Sequence, residues 1–489
     1  MAKPPALNAT LSKQMEQISP LGYVATPTVM EEERSSYGCY QTTLSQTFAP
    51  KTEEEVADIL AMAHREGRNV TLCGANMSLD SQSLGSDISM TLAAFNQIKV
   101  DSKSQTVTAG VGANWGEVVD AVKEHNLYPY VVVSNRRVTV GGSISANSLS
   151  RFSNIHGREG THVASLRMVT ADGRILECSR EQNADLFFGI IGGFGTLGVV
   201  LDVTHRLQPI SVDTCIESQV FKCASFEGME EDLVPVDPKE ARYMVLSLSK
   251  GGVRRMSFRS RQAEHKKVDP IWLYKHVDLG RVLAETIAHI WMWLAHAIWT
   301  FGYFFHPRQN KKYVSEIVPY TFFTDGNVHA REWMKKLKLK FRMIEQTYII
   351  PANSGKLELF TERLVDMCKE RGIKPMLFDA MFLPEDEAFV MSSTNGLAGF
   401  AVNIAFEGLE GEQLQATKEM FSLLTTLCKE WGGRVHLVKN VFANPQDLRD
   451  MYADAFQSWK ELKRKYDPQN TLGSGFIERI FDVERNTLS

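Results

Sequence analysis

Cysteine is sparse in this chain of 489 residues: Cys39, Cys73, Cys178, Cys215, Cys223, Cys368 and Cys428 are seven in number and never form a CxxC pair. An odd, scattered set suggests neither a disulfide framework nor a zinc site, and a reducing, cytoplasmic compartment is the expectation. Charge of one sign is lacking too. Lys and Arg number 54 against 58 Asp and Glu, for a net charge of −4, which argues against a nucleic-acid binder with its basic footprint. There is no internal repeat and no low-complexity stretch. The opening MAKPPALNATLSKQMEQ has no apolar core of the signal-peptide kind. What remains is ordinary globular composition, 44% hydrophobic with 34 glycines, in a length that suits about three domain-sized units or one two-lobed enzyme.

One long uncharged run stands out, TIAHIWMWLAHAIWTFGYFF at 286–305. Its length is enough to span a bilayer. Two features oppose spanning: His289, Trp293, His296 and Thr300 would form a more polar stripe on a helix, and the tryptophans lie mid-segment. The alternatives are an interfacial helix giving peripheral membrane contact, a buried core helix, or a helix over a substrate entrance. His289 and His296 have no third residue nearby to complete a metal site.

Residues 40–208 alternate β-rich and helical runs. EEEVADILAMAHREG (53–67) is a helix ending on glycine. Asn114 is placed to cap NWGEVVDAVKEHNL. LRMVTADGRILECS turns at Asp172-Gly173 as a hairpin. Beyond 208, mixed strands precede the aromatic segment 271–305. Strand–helix–strand units follow through 450, including RVHLVKN as a strand, and then DLRDMYADAFQSWKELKRKYDP as one amphipathic helix stopped by Pro468. The expected fold class is α+β in two lobes. Its parts would be 1–208, a substrate or cap part at 209–450, and a closing segment at 451–489.

GVGANWG (110–116) invites a nicotinamide-binding reading and fails it. The spacing is GxGxxxG, and no acidic residue ends a second strand about 20 residues on. Three other loops are more telling. Gly74-Ala75-Asn76-Met77-Ser78 leaves a strand, with Leu79, Asp80 and Gln82 beyond, and its small residues let backbone N–H groups converge on a pyrophosphate. Ser134, Asn135, Thr139, Gly141, Gly142, Ser143, Ala146 and Asn147 lie in SNRRVTVGGSISAN, whose paired glycines admit close approach to a flat ligand. Gly192-Gly193-Phe194-Gly195-Thr196-Leu197-Gly198 opens the strand of Val199 and Val200. Each alone is an ordinary tight turn. Three within 130 residues favour a large phosphate-bearing cofactor.

The order of these stretches resembles the FAD-binding, PCMH-type domain of the vanillyl-alcohol oxidase and p-cresol methylhydroxylase superfamily. LAAFN, VTAGVGANWGEV, VTVGGSISAN, HVASLRMVTADG, ADLFF and GTLGVV carry the likeness through 40–208. WKELKRKYDPQNTL resembles the closing segment that returns to the flavin. EQTYIIP, GFAVNIAF and WGGRVHLVKN follow the order of the decaprenylphosphoryl-ribose 2-oxidase group. The resemblance implies an FAD-binding domain of two α+β subdomains and a substrate domain on an antiparallel sheet. It makes Lys439 a residue near the flavin ring, acting as a cation or as a base, where the residues alone also allow a solvated lysine at a strand end, and Asn403 either a partner of substrate or flavin or a satisfied sheet residue. His436 falls where the group has a flavin-proximal tyrosine, as a ring contact or a surface histidine.

The sequence also departs from the group. Leu149-Ser150 replaces the pair containing the histidine used for covalent attachment, so non-covalent FAD is expected. Ala405 stands at the active-site cysteine position, Phe382 at a substrate-side lysine and Leu79 at a tyrosine. The implied activity is oxidation of a hydroxyl-bearing carbon on a sugar or polyol, lipid-linked in one version, with a partner reductase suggested by the likeness. The alternatives are an NADPH-dependent reductase of an isolated double bond, as in sterol Δ24-reductases, and an inactive flavin-binding scaffold at a membrane. His156 and His162, flanking HGREGTH, have no cysteine or carboxylate cluster to support a metal.

Overall fold

A computed structural model of the chain describes residues 29–249, 252–269, 312–325, 342–386 and 388–481. The aromatic run 286–305 and its two histidines lie outside them. Among the described residues no helix is long and apolar enough to cross a membrane.

Three sheets build the α+β architecture. The first orders Val29–Ser35, Thr42–Phe48, Ile88–Thr91 and Val70–Cys73, with its first pair antiparallel and the others parallel. The helix Glu53–Glu66 connects its second and last strands. Thr52 caps that helix at the start, and Gly67 ends it in the left-handed region at φ +64°, which glycine adopts without a Cβ penalty. The second sheet is antiparallel, in the order Ile98–Asp101, Thr106–Gly110, Val199–Pro209, Val163–Val169 and Ile175–Ser179. The expected hairpin forms at Asp172-Gly173. The Asn114 cap is a full capping box, with Glu117 reaching back to the Asn114 N–H.

From Thr214 the strands belong to a third sheet of eight, antiparallel throughout. Its order is Lys312–Glu316, Thr214–Cys223, Gly252–Glu264, Ala241–Ser249, Leu377–Leu383, Gly399–Glu407, Met343–Pro351 and Arg434–Val435. The helices Leu357–Glu370 and Gly411–Glu430 pack on it through Phe360, Leu364, Phe421 and Leu424, all buried.

The structure corrects two expectations. RVHLVKN pairs as a strand only at Arg434–Val435. The carbonyls of Leu437, Val438 and Lys439 converge instead on the Gln82 side-chain amide at 3.0–3.4 Å, so the chain turns there. The final helix is two, Pro445–Met451 and Ala453–Tyr466, kinked at Tyr452, whose φ is −117°. The buried Tyr452 hydroxyl donates to Val435 O at 2.6 Å.

The chain then runs back to the first sheet. Val70 N donates to Thr471 O at 2.7 Å, and Thr71 Oγ1 donates to Gly473 O at 2.8 Å. Lys463, 1% exposed, pairs with Asp467 at 2.6 Å and donates to Thr196 O at 2.7 Å. Breaking such a buried pair by removing one partner costs about 3–5 kcal/mol. This segment is therefore fastened, with its lysine beneath the third glycine loop.

Candidate active site

A cavity of about 640 Å³ lies between the two smaller sheets and the large one, within the usual range for cofactor and ligand sites. One wall is backbone. A Cβ on Gly74 would lie 2.5 Å from Thr139 Oγ1, and one on Gly141 would lie 2.9 Å from the Val111 Cβ. Only glycine lets the 74–78 loop lie this close to the start of the short helix Val140–Ala146, and that helix this close to Val111, and all of these segments line the cavity. Thr139 caps that helix, accepting from Gly142 N at 3.2 Å. Asn76 sits in the left-handed region at φ +54°, its Oδ1 accepting from Arg34 at 3.3 Å. Phe194, Gly195, Gly198 and Val200 continue the wall. Such a cradle of small residues fits the pyrophosphate and flat ring of FAD.

The opposite wall is side chain. Asp379, Asn403 and Thr347 stand in register on three neighbouring strands. The two-residue repeat of a strand puts Glu345 on the same face as Thr347. Asn403 is the junction: its Nδ2 donates to Glu345 Oε1 and to Asp379 Oδ1, each at 2.8 Å, while its Oδ1 accepts from Thr347 at 2.6 Å. Lys439 enters from the turn after the last strand and pairs with Glu345 Oε1 at 3.0 Å. Glu345 is 4% exposed. His436 is buried beside this group, its Nδ1 at 3.1 Å from Ser393 Oγ. Burial, and then the nearby Arg158 and Lys439 cations, hold the His436 imidazole well below its usual pKa.

Most residues singled out from sequence line this cavity. They are Gly74 to Leu79, Gln82, Ser134, Asn135, Thr139, Gly142, Ala146, Val200, Asn403, His436 and Lys439. Several have their polar atoms committed elsewhere. Gln82 holds the 437–439 turn, as above. Ser134 and Asn135 join the lobes through Thr324, with Thr324 Oγ1 donating to Ser134 O at 2.8 Å and Asn135 Nδ2 donating to Thr324 O at 3.3 Å.

Three positions lie off the cavity. Ser143 is buried behind the helix, where it donates to Glu159 at 2.8 Å and accepts from Trp115 at 2.7 Å. Asn147 ends that helix and accepts from Gly160 N at 2.9 Å. Val199 points into the core, because alternation along the strand gives the cavity to Val200. Leu79 and Ala405, two of the departures from the family pattern, pack in one small apolar cluster with Tyr37 and Met343. Phe382 packs against Phe400 at 5.7 Å. His162 stacks on Tyr130 at 4.4 Å, and burial pushes its pKa down to about 4.

Sequence reading did not single out Glu345, Thr347, Asp379, Ser393 or Arg158. For Glu345 and Thr347 a signal existed, a run of three polar residues, EQT, inside an otherwise apolar strand. Ser393 and Arg158 lie in loops and carry no such pattern.

Known proteins match on both sides of the cavity. A family model described as an FAD binding domain matches residues 45–179, and one described as D-arabinono-1,4-lactone oxidase matches 256–480. L-gulonolactone oxidase of Bos taurus is 22% identical over 448 residues, covering 91% of this chain and 96% of that protein. Decaprenylphosphoryl-beta-D-ribose oxidase of Mycolicibacterium smegmatis is 21% identical over 455 residues, covering 87% and 92%. The chain is an FAD-dependent oxidoreductase whose similarities are those of the vanillyl-alcohol oxidase and p-cresol methylhydroxylase superfamily. It uses FAD and acts on CH–OH groups. The near-equal identities do not separate the decaprenylphosphoryl-ribose group from the sugar-lactone oxidases.

Proposed function

We propose that the enzyme oxidises a hydroxyl-bearing carbon of a sugar, sugar lactone or polyol, with FAD lying along the glycine wall. The observation that carries this reading is the Asp379–Asn403–Thr347 row with the Glu345–Lys439 pair, facing that wall across one cavity. Bound there, FAD would supply the hydride acceptor. The protein holds the rest of the alcohol. Glu345 Oε1 is taken by Asn403 and Lys439, so Oε2 remains to accept the substrate O–H proton. Lys439 acts as a cation in this reading, holding Glu345 and stabilising negative charge that develops on the hydroxyl oxygen. Asn403 Oδ1, which has a second lone pair, and the Asp379 carboxylate offer acceptors to the hydroxyls of such a substrate. The sugar-derived names of the bovine and mycobacterial relatives support the substrate class. They do not favour the double-bond reductase, and the Lys439–Glu345 pair speaks against an inactive scaffold.

FAD is non-covalent in this proposal. Among the described lining residues the cysteine and the histidine that could carry a thioether or imidazole link are Cys73 and His436. Burial pushes the Cys73 thiol up to about 11, and it donates to Met90 O at 3.3 Å. His436 turns its Nδ1 to Ser393. Tyr243, Val245, Met381 and Phe323 line the cavity beside the polar row and would receive an apolar tail on a lipid-linked substrate. A cytoplasmic location, peripheral membrane contact through 286–305 and a partner reductase belong to the same proposal. They are motivated in turn by the scattered cysteines, the uncharged run and the family likeness, and vesicle co-sedimentation tests the membrane contact.

The deciding experiment is an anaerobic absorbance spectrum of the purified protein. Sugars, aldonolactones and alditols should bleach the flavin band, and acid precipitation should release the colour to the supernatant. A protein that cannot be reconstituted with FAD, or whose flavin none of these substrates bleaches, would overturn the reading.

A further inference from the structure

Behind His436 lies a chain of donors that links the two walls of the cavity. Arg158, 3% exposed, comes from the small-sheet lobe. Its Nη2 donates to Ser393 Oγ at 2.8 Å, its Nε donates to Thr394 Oγ1 at 3.1 Å, and its Nη1 reaches Asn147 O at 3.4 Å. Asp386 Oδ2 stands 3.9 Å from Nε. Ser393, 2% exposed, has His436 Nδ1 on its other side at 3.1 Å.

Counting donors assigns the proton positions. A guanidinium only donates, so Arg158 occupies a lone pair of Ser393. The hydroxyl proton of Ser393 then needs an acceptor in a buried place, and among the described residues the one within reach is His436 Nδ1. The opposite arrangement, with Nδ1 protonated, would leave that hydroxyl proton unsatisfied. Nδ1 is therefore the acceptor and Nε2 carries the hydrogen. Nε2 has no hydrogen bond to the described protein and is not among its buried unpaired atoms, and His436 lines the cavity, so the Nε2–H edge faces the ligand. Burial beside Arg158 and Lys439 disfavours a second proton on the ring.

We propose that Ser393, held by Arg158, is a positioning residue that fixes His436 as the neutral Nε2–H tautomer, making it a hydrogen-bond donor, and not a base, at the cofactor cavity. This rests on the proposed function only for what the donor meets, an acceptor atom of the flavin or of the substrate. Arg158 also holds the carbonyl of Asn147, at the end of the glycine-loop helix, so one residue registers both walls of the cavity.

The test uses the FAD-loaded enzyme with nitrogen-15 histidine and long-range proton–nitrogen correlation, the His436 signals being assigned by their absence in His436→Asn. The expected wild-type pattern is an unprotonated Nδ1 and a protonated Nε2. Ser393→Ala should give a mixture of tautomers, slow substrate bleaching of the flavin by about tenfold through kcat with KM little changed, and keep FAD bound. Ser393→Thr, which restores a hydroxyl, should recover the single tautomer. A protonated Nδ1 in the wild type, or an unchanged tautomer in Ser393→Ala, overturns the proposal. The tautomer spectrum is read without substrate. Its failure therefore sinks this inference and leaves the function standing, while absence of bleaching by any alcohol does the reverse.

Discussion

The two walls of the cavity are made of different materials. The glycine wall, from Gly74 to Val200, is backbone brought close by the absence of side chains. The sheet wall is a hydrogen-bonded set of side chains in which one amide, Asn403, serves two carboxylates and a threonine. The first can only cradle a ligand; the second can exchange charge and protons with one. Binding and chemistry are thus assigned to separate parts of the chain, and substitutions on the two walls should fail in different ways.

Filling the backbone wall should remove the cofactor itself. Gly74→Val places a branched side chain where even a Cβ would meet Thr139 Oγ1 at 2.5 Å. We expect flavin content at least about tenfold below wild type, since overpacking costs on the order of 1–3 kcal/mol. Flavin absorbance per protein, with circular dichroism to check folding, measures it. Stoichiometric FAD in this variant would break the comparison. On the other wall, Lys439→Met should leave FAD bound and lower turnover by about 10²–10³-fold, the usual effect of deleting one preorganised charge or donor. Equal loss of flavin in both variants would mean that the walls do not divide the work.

This division also explains what could be read from sequence. The backbone wall is legible because each loop needs small residues at fixed offsets, and these lie together: Gly74 to Ser78, Gly141-Gly142, Gly192 to Gly198. The capping box of Asn114 and the Asp172-Gly173 turn are local in the same way. The side-chain wall draws on Glu345, Asp379, Asn403 and Lys439, nearly a hundred residues from first to last, and becomes visible only when strand register is known. Ser143 and Asn147 misled for a related reason. They sit in the glycine-rich stretch, but a helical turn faces Ser143 inward to Trp115 and Glu159. The break in RVHLVKN was hidden because its cause, Gln82, lies far away in the chain.

A smaller effect should separate stability from chemistry on the sheet wall. Asn403→Ala removes the donor shared by Glu345 and Asp379, and hydrogen bonds to charged groups are worth about 1.5–3 kcal/mol. A stability loss of about that size should appear as a lower urea midpoint with unchanged slope, together with weakened substrate binding. Stability equal to wild type would show that the two carboxylates do not depend on Asn403, and the row would lose its structural meaning.

The finest test concerns the place where the walls meet. Gln82 belongs to the glycine wall by sequence but acts on the other one, since its Nε2 gathers the carbonyls of Leu437, Val438 and Lys439 while its Oε1 accepts from Asp80 N at 3.1 Å. Gln82→Ala should leave FAD bound and cost about 1 kcal/mol of stability. Turnover should fall by about tenfold, because misplacing a reacting group by a fraction of an ångström is already costly. The neighbouring tethers set this modest scale: Asn440 Nδ2 donates to Leu79 O at 3.1 Å, and Val441 N donates to Asp80 Oδ2 at 3.2 Å. They keep the turn near its place after Gln82 is gone. If turnover did not change, they alone would position Lys439; if flavin were lost instead, Gln82 would belong to the cofactor wall in function as well as in sequence.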